Sequence, residues 1–214
     1  MKLLRVFTCE KMNKKTVIVG IPAFNEEKNI GVLLESILLQ KGNNFTIDKV
    51  IVVCDGSRDN TAEIVKLYSK KFNQISLKDD NKRKGKAARL NEFYKSLKSD
   101  IFITFDADVI LGNEFVIREL VDAFEDNRIG LVGGCDIAIG QKTVVGKALE
   151  SYEFFWSLVV KKLKKGNNVH NHPGLISAGS KEFLGKGNLS LVIITSPLVK
   201  LATIILAGET NCDK

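Results

Sequence analysis

IFITFDADVI, residues 101–110, is the stretch that most constrains the fold, because it joins a buried strand to two acidic side chains. Ile101–Phe105 is apolar, β-branched and aromatic, which is typical of a strand inside a sheet. Side chains two residues apart in an extended segment point the same way, so Asp106 and Asp108 are predicted to present two carboxylates together. Such charges repel unless a cation lies between them, and oxygen ligands suit Mg²⁺ or Mn²⁺. The simpler alternative is a turn with solvated aspartates.

Predicted strands and helices alternate on both sides of this stretch. The predicted strands are 16–21, 50–53, 75–77, 101–105 and 129–139. Apolar residues at helical spacing predict helices at 30–38, around 64–68, up to 97, at 117–124 and at 143–165. Asn60 and Glu63 form a plausible capping box, and residues 166–187 are predicted as loop. This alternation with short connections is typical of a mostly parallel α/β sheet with helices on both faces.

Four polar segments follow predicted strands or open the next helix. They are residues 22–27, 55–59, 82–91 and 106–108. In a parallel sheet these segments lie at one edge, which is where open α/β sheets bind ligands. Acidic and basic segments together favour a phosphate-bearing ligand with its metal over a nucleic-acid groove. Each segment also has a plainer interpretation: helix caps at 25–27, a simple turn at 55–57 and a solvated basic loop at 82–86.

Charge and cysteine usage narrow the class of protein. The 214 residues suffice for one domain with a large core, and the net charge of +7 indicates an anionic partner, whether nucleic acid, phosphorylated substrate or acidic lipid. The cysteines lie far apart in the sequence, at Cys9, Cys54, Cys135 and Cys212. This spacing argues against a zinc site or a disulfide framework and agrees with a reducing cytosol.

Two terminal segments bear on targeting. Residues 1–15 are interpreted as a leader without the apolar core of a signal sequence. The apolar run 189–207 contains Pro197 and Lys200, so a strand and a helix of the core are predicted there rather than a membrane span. His170 and His172 are interpreted as polar surface, since no third ligand lies nearby in the sequence.

Four of the segments occur in the order and spacing of a known family. They are IPAFNEEKNI (21–30), VVCDGSRDNTAEIV (52–65), GKAARLN (85–91) and FDAD (105–108). Together they resemble the family 2 glycosyltransferases of GT-A fold over residues 16–140, and GLISAGSKEFL (174–184) resembles the acceptor-side segment of that family more thinly. The resemblance implies a Rossmann-like nucleotide-binding domain. Its donor half is residues 16–110, and its acceptor half, residues 111–214, is expected to be incomplete.

The resemblance also implies a role for each matching residue. The implied donor-binding residues are Pro22, Ala23, Glu26, Asp55, Lys86 and Asp106, and the implied ligand of Mg²⁺ or Mn²⁺ is Asp108. Within this set Asp55 would hold the base, usually uracil, Lys86 would lie near base and phosphates, and Asp106 would lie near the ribose. The chain departs from the family at Cys54, where another aspartate is common, and at Arg89, which replaces a usual small residue.

The general base of the family has no clear counterpart. Members usually carry a Glu-Asp or Asp-Asp pair downstream, often followed by Q-x-x-R-W, and neither occurs here. Glu209 lies where the pair is expected, with Thr210 in place of the second acid; the alternative for Glu209 is a solvated residue near a frayed terminus. Two hypotheses follow: an inverting transferase with Glu209 as base, or a relative that binds nucleotide sugars without turnover.

The predicted function is transfer of a sugar from a nucleotide sugar, expected to be a UDP-sugar, to a hydroxyl of a glycan or lipid-linked acceptor, as in polysaccharide and cell-envelope synthesis. A sugar-phosphate nucleotidyltransferase would need a G-x-G-x-R loop, where this chain has PAFN at 22–25. No nucleic-acid partner is expected, because residues 82–86 lack interleaved aromatics. The basic run 161–165 predicts contact with anionic lipid, which places the protein in the cytoplasm or at the inner face of the membrane.

Overall fold

The structure is a computed structural model. It describes residues 14–94, 98–126, 129–134, 136–139, 176–181, 193–194 and 203–206, together with Val144, Lys147, Ala148, Ser151 and Phe155. Within these residues the strands are β1 (Lys15–Ala23), β2 (Phe45–Cys54), β3 (Ile75–Asp79), β4 (Ile101–Phe105), β5 (Val109–Leu111), β6 (Leu131–Gly133), β7 (Asp136–Ile139), β8 (Ile176–Ser180), β9 (Ile193–Ile194) and β10 (Thr203–Leu206). The helices are α1 (Ile30–Leu38), α2 (Thr61–Lys71), α3 (Lys86–Tyr94) and α4 (Val116–Asp122), which continues as a 3-10 turn over Ala123–Glu125.

The main sheet has the strand order β3-β2-β1-β4-β8-β6, with the short strand β9 paired to β6. The four strands β3, β2, β1 and β4 are parallel to one another, whereas β8 runs antiparallel to both β4 and β6. A second, smaller sheet has the order β5-β10-β7. The strand order reverses direction between β1 and β4, which is the position where open α/β sheets form a ligand crevice.

Alternate residues of β1 serve two cores, because both faces of the sheet are covered. Val17, Val19 and Ile21 face one core, which also contains the apolar face of α1. On the opposite face, Ile18 packs with Phe93 of α3 and with Phe102 of β4. A Cβ atom at Gly20 would lie 2.6 Å from the Phe102 ring and 3.1 Å from that of Phe93, so glycine permits this close packing. The predicted fold, a mostly parallel sheet with helices on both faces, is confirmed.

Two predicted element boundaries were wrong in detail. The first strand was predicted to stop at Pro22, but it runs to Ala23. Pro22 is therefore the last-but-one residue of β1, a position near the strand end where proline is tolerated. The predicted capping box is absent at α2, since the Asn60 side chain makes no cap hydrogen bond. Asp59 takes this role instead, because its Oδ1 accepts the Thr61 N–H at 3.0 Å.

The predictions after residue 125 needed larger corrections. The single strand predicted for 129–139 is two strands in different sheets, β6 and β7. The loop predicted for 166–187 contains β8, whose pairing with both β4 and β6 makes it a strand of the main sheet. The run 189–207 contributes strands at its two described segments, so the predicted helix is not found at β10. The five described residues of the helix predicted for 143–165 are helical.

Candidate functional site

A cavity of about 280 Å³ lies at the carboxyl ends of β1, β2 and β4. We call it the edge cavity; it is lined by Pro22, Ala23, Phe24, Glu26, Asp55, Arg83, Gly85, Lys86, Asp106, Ala107 and Asp108. All four polar segments singled out in the sequence contribute to this lining. Every residue predicted to bind the donor or the metal lies here, and Glu209, the predicted base, lies outside the described residues.

Asp55 follows β2 directly and is buried, with 5% of its surface exposed. Its Oδ1 accepts hydrogen bonds from the Lys84 N–H at 2.7 Å and from Arg89 Nε at 2.8 Å, and its Oδ2 accepts the Gly85 N–H at 2.9 Å. Burial alone would raise the pKa of Asp55, but these hydrogen bonds together lower it below its ordinary value. Asp55 is therefore an ionised acceptor at neutral pH, and it is more than part of a simple turn.

The neighbouring Gly56 allows the 82–83 backbone to come close to β2. Its φ is +74°, a conformation that L side chains rarely adopt. A Cβ atom at this position would lie 3.1 Å from the backbone nitrogen of Arg83. Glycine after Asp55 thus permits both the turn and the contact between two loops of the cavity.

Arg89 is the functional candidate that sequence reasoning missed, since it was noted only as a departure from the family. The side chain is completely buried. Besides Asp55, it donates to both oxygens of Asp80, at 2.7 and 3.1 Å, and to the carbonyl of Lys82. The pKa of Asp80 is strongly lowered by hydrogen bonds from Arg89 and Lys84. The sequence signal was present: Arg89 precedes Phe93 by four residues, so the two share one face of α3.

Lys86 and Asp106 form an ion pair across the edge cavity. The Lys86 ammonium lies 2.7 Å from each carboxylate oxygen of Asp106. Burial raises the pKa of Asp106; the hydrogen bond and charge of Lys86 lower it in part, and the charge of Asp108 raises it further. The net shift is upward, so Lys86 does not fully offset burial and the neighbouring acid.

Glu26 belongs to the same acidic end of the cavity. Burial raises its pKa, a hydrogen bond from Asn29 at 2.7 Å opposes this, and the charges of Asp108, Asp59 and Asp106 raise it again. Accumulated negative charge of this kind is favourable for a cation. Oxygen ligands on carboxylates fit Mg²⁺ or Mn²⁺, and Asp108 is the ligand expected. Within the described residues no group of three or more His, Cys, Asp or Glu side chains could hold a metal ion without further ligands.

The loops after β1 and β2 are joined by reciprocal hydrogen bonds. Asn25, at a φ of +56°, donates its N–H to Ser57 at 3.1 Å and accepts the Arg58 N–H on its side chain at 2.8 Å. The Glu27 N–H donates to Asp59 at 3.0 Å, and the Glu26 N–H donates to Thr61 at 2.8 Å. Residues 25–27 therefore fix the second loop, and the predicted side-chain cap is not found at α1, whose N-cap residue Asn29 makes no side-chain cap hydrogen bond.

The basic segment 82–86 is partly neutralised and faces the cavity. The Arg83 guanidinium lies 3.7 Å from the centroid of the Phe24 ring, a cation–π contact in the cavity wall. Lys84 pairs with Asp80 and Glu92, each at 2.8 Å. The segment is exposed at residues 82–84 and 86, as expected of a solvated basic loop, but its side chains also contact other segments of the site. The predicted lipid-binding run 161–165, His170 and His172 lie outside the described residues.

Among known proteins, the family model described as glycosyl transferase family 2 matches residues 18–186. The chain is 33% identical over 147 residues to dolichol-phosphate mannosyltransferase of Pyrococcus furiosus, which covers 68% of this chain and 38% of that protein. It is 27% identical over 127 residues to poly-β-1,6-N-acetyl-D-glucosamine synthase of Staphylococcus epidermidis, covering 59% of this chain and 30% of that protein. The chain thus spans about a third of the length of these curated relatives, 38% of the first and 30% of the second.

Solved structures share the fold at low sequence identity. A mannosyltransferase from Pyrobaculum calidifontis in complex with GDP-Man and Mn²⁺ superposes with a TM-score of 0.72 at 19% identity, covering 94% of this chain and 59% of that one. Glucosyl-3-phosphoglycerate synthase from Mycobacterium tuberculosis, in complex with Mn²⁺, UDP and glucosyl-3-phosphoglycerate, gives a TM-score of 0.53 at 22% identity, covering 78% of this chain and 57% of that one.

Of the described helices, none is long and apolar enough to cross a membrane.

Proposed function

The chain belongs to glycosyl transferase family 2, and on that basis we propose that it is an inverting, metal-dependent enzyme that moves a sugar from a UDP-sugar to a hydroxyl acceptor. One observation carries the proposal: Asp55, Lys86, Asp106 and Asp108, from three separate loops, line one cavity. A single nucleotide sugar within this cavity would have an acceptor for its base, a cation for its phosphates and a ligand for its metal.

Asp55 supports recognition of the base. An ionised carboxylate is only an acceptor, so it pairs with a ring N–H such as that of uracil and disfavours a ring nitrogen that is itself an acceptor. The lowered pKa of Asp55 keeps the carboxylate in this form at neutral pH. Pro22, Ala23 and Glu26 line the same cavity and are proposed to complete the nucleoside pocket.

The reaction breaks the bond from the anomeric carbon to the diphosphate while the acceptor oxygen bonds to that carbon from the opposite face. The negative charge that develops on the departing diphosphate would be stabilised by the Lys86 ammonium, with Asp106 near the ribose. A divalent cation held by Asp108 would supply Lewis-acid stabilisation of the same phosphates. The proton of the acceptor hydroxyl goes to a general base, for which Glu209 remains our proposal.

The acceptor is proposed to be a glycan or a lipid-linked molecule. The names of the two curated relatives support these two classes: one is a dolichol-phosphate mannosyltransferase and the other a poly-β-1,6-N-acetyl-D-glucosamine synthase. A lipid-linked acceptor would agree with the basic run 161–165 and with a place at the cytoplasmic face of a membrane. Vesicle sedimentation that requires acidic lipid, and that weakens when these lysines are neutralised, is the expected result.

Nucleotide release with Mn²⁺ tests the enzyme directly. UDP-sugars and GDP-sugars are supplied with a short glycan or a lipid-linked glycan, each of which offers a hydroxyl acceptor, and Asp108→Ala is the control. Release of UDP above that control is expected. If no donor gives release but calorimetry shows that UDP binds, the chain is a nucleotide-sugar-binding relative without turnover. If only GDP-sugars react, the proposed nucleobase, uracil, is wrong, but the assignment as a glycosyltransferase stands.

A further inference from the structure

Arg89 has no exposed surface, yet it contacts the residue proposed to read the base. Its Nε donates to Asp55 at 2.8 Å, and its terminal nitrogens donate to both carboxylate oxygens of Asp80. A buried guanidinium is stable only where its charge is paired and its N–H groups are hydrogen-bonded. These contacts therefore fix the relative positions of Arg89 and the two carboxylates.

Asp55 has one acceptor position left for a ligand. Each carboxylate oxygen can accept two hydrogen bonds. Oδ1 accepts two, from the Lys84 N–H and Arg89, whereas Oδ2 accepts one, from the Gly85 N–H. Because Asp55 lines the edge cavity, the open position on Oδ2 is available to a base there. When this acceptor faces the ring nitrogen of the base, it favours uracil and guanine, which carry a ring N–H there, over cytosine and adenine, whose ring nitrogen at that position is itself an acceptor.

Arg89 also holds the loop that supplies the other two donors. Asp80 and the carbonyl of Lys82, both bound to Arg89, precede Lys84 and Gly85 in the same loop. The backbone of this loop then donates twice to Asp55. Loss of Arg89 would remove one hydrogen bond from Asp55 directly and would release the loop that provides the remaining two.

We propose that Arg89 is a positioning residue that sets nucleobase selectivity, because it holds Asp55 with one acceptor position open to the edge cavity. The role rests on the proposed function, since it requires a nucleoside diphosphate as ligand. Arg89 does not touch the ligand in this arrangement; it acts through Asp55.

The test is Arg89→Lys, with dissociation constants for UDP, GDP, CDP and ADP measured by calorimetry in Mn²⁺. Lysine keeps the charge but cannot bind both carboxylates at once. Affinity for the better of UDP and GDP should fall roughly tenfold, the value of one charge-assisted hydrogen bond, whereas affinity for CDP and ADP should change less than about twofold. A purely structural role would lower all four affinities alike.

A second variant keeps the test informative if Arg89→Lys folds poorly. Asp80→Asn changes the partly exposed partner of Arg89 and should reduce selectivity in the same direction, by roughly threefold. Arg118→Lys and Asp48→Asn are the matched controls; Arg118 pairs with Asp122 at 3.9 Å, and Asp48 is exposed in the first half of β2. Both should keep the wild-type selectivity.

The outcomes separate this role from the proposed function. Wild-type selectivity in both folded variants, or an equal loss for all four diphosphates, overturns the role of Arg89 and leaves the proposed function intact. If the wild-type protein binds none of the four diphosphates, the proposed function itself is overturned, and the role of Arg89 falls with it.

Discussion

Four carboxylates at one edge of the sheet form two pairs with opposite electrostatics. Asp55 and Asp59 accept several hydrogen bonds, and these outweigh burial and lower the pKa of each. Glu26 and Asp106 are desolvated and close to other acids, and their pKa values are raised. We call the first the hydrogen-bonded pair and the second the crowded pair. Hydrogen bonds within the protein stabilise the ionised form of the first pair, whereas part of the charge of the second is left for a ligand.

The largest expected effect comes from removing Asp108, the proposed metal ligand beside the crowded pair. Asp108→Asn keeps the size of the side chain but removes its charge, so stabilisation of the departing diphosphate is lost. Nucleotide release should fall at least roughly 100-fold. Asp48→Asn, made at the other end of β2, should have wild-type turnover. Unchanged release by Asp108→Asn would contradict a metal-binding role for Asp108 beside the crowded pair.

Removal of the Lys86 ammonium, which pairs with Asp106 of the crowded pair, is expected to have the next largest effect. Lys86→Met keeps the length of the side chain and removes the ammonium that lies 2.7 Å from both Asp106 oxygens. Turnover should fall about 10- to 100-fold, because a positive charge near the departing diphosphate is lost. The matched control is Lys66→Met, since Lys66 pairs with Glu63 on the surface of α2. Equal turnover in the two variants would contradict a phosphate-binding role for Lys86.

Sequence reasoning succeeded where local pattern and sheet topology coincide. β4 is an apolar run of five buried residues, so its strand and the acidic turn after it were predictable from the segment alone. Parallel topology then required the loops after β1, β2, β3 and β4 to lie at one edge, and all of them contribute to the edge cavity. The grouping of Asp55, Lys86 and Asp108 follows from this rule, although their chemical roles stay predictions.

Long-range contacts explain what the sequence did not predict. β8 reads ISAGS, and small residues of this kind carry no strong strand pattern; its strand is fixed by pairing with β4 and β6. The burial of Arg89 depends on Asp55 and Asp80, which precede it in the chain by 34 and 9 residues. The helix pattern places Arg89 on the same face of α3 as Phe93, but it does not identify the two carboxylates that pair with Arg89, because both lie outside α3.

Within the hydrogen-bonded pair, Asp59 should matter more for stability than for turnover. Asp59→Asn weakens the local hydrogen bond from the Thr61 N–H. It also weakens the hydrogen bond from the Glu27 N–H, which joins two loops of the site. Because the pKa of Asp59 is lowered in the folded state, its stabilising contribution is present above the ordinary value of about 3.9 and is lost as pH falls through the folded value. The free energy of unfolding at pH 7 should drop by about 1–2 kcal/mol. Urea unfolding should show this loss shrinking below about pH 4; a loss independent of pH would contradict the assignment.

The smallest effect should have the opposite sign and belongs to the crowded pair. The pKa of Glu26 is raised, so its ionised form disfavours folding at neutral pH, and this cost disappears as pH falls through the folded value. Glu26→Gln keeps an acceptor for Asn29 and removes the repulsion from Asp106 and Asp108. It should therefore raise the free energy of unfolding at pH 7, by less than about 1 kcal/mol because the site is partly solvated, and should match the wild type near pH 4. Glu63→Gln, which breaks a surface pair, should give no gain. If Glu26→Gln is less stable than the wild type at pH 7, the protein stabilises the ionised form of Glu26 as fully as that of Asp59. The distinction between the two pairs would then be lost.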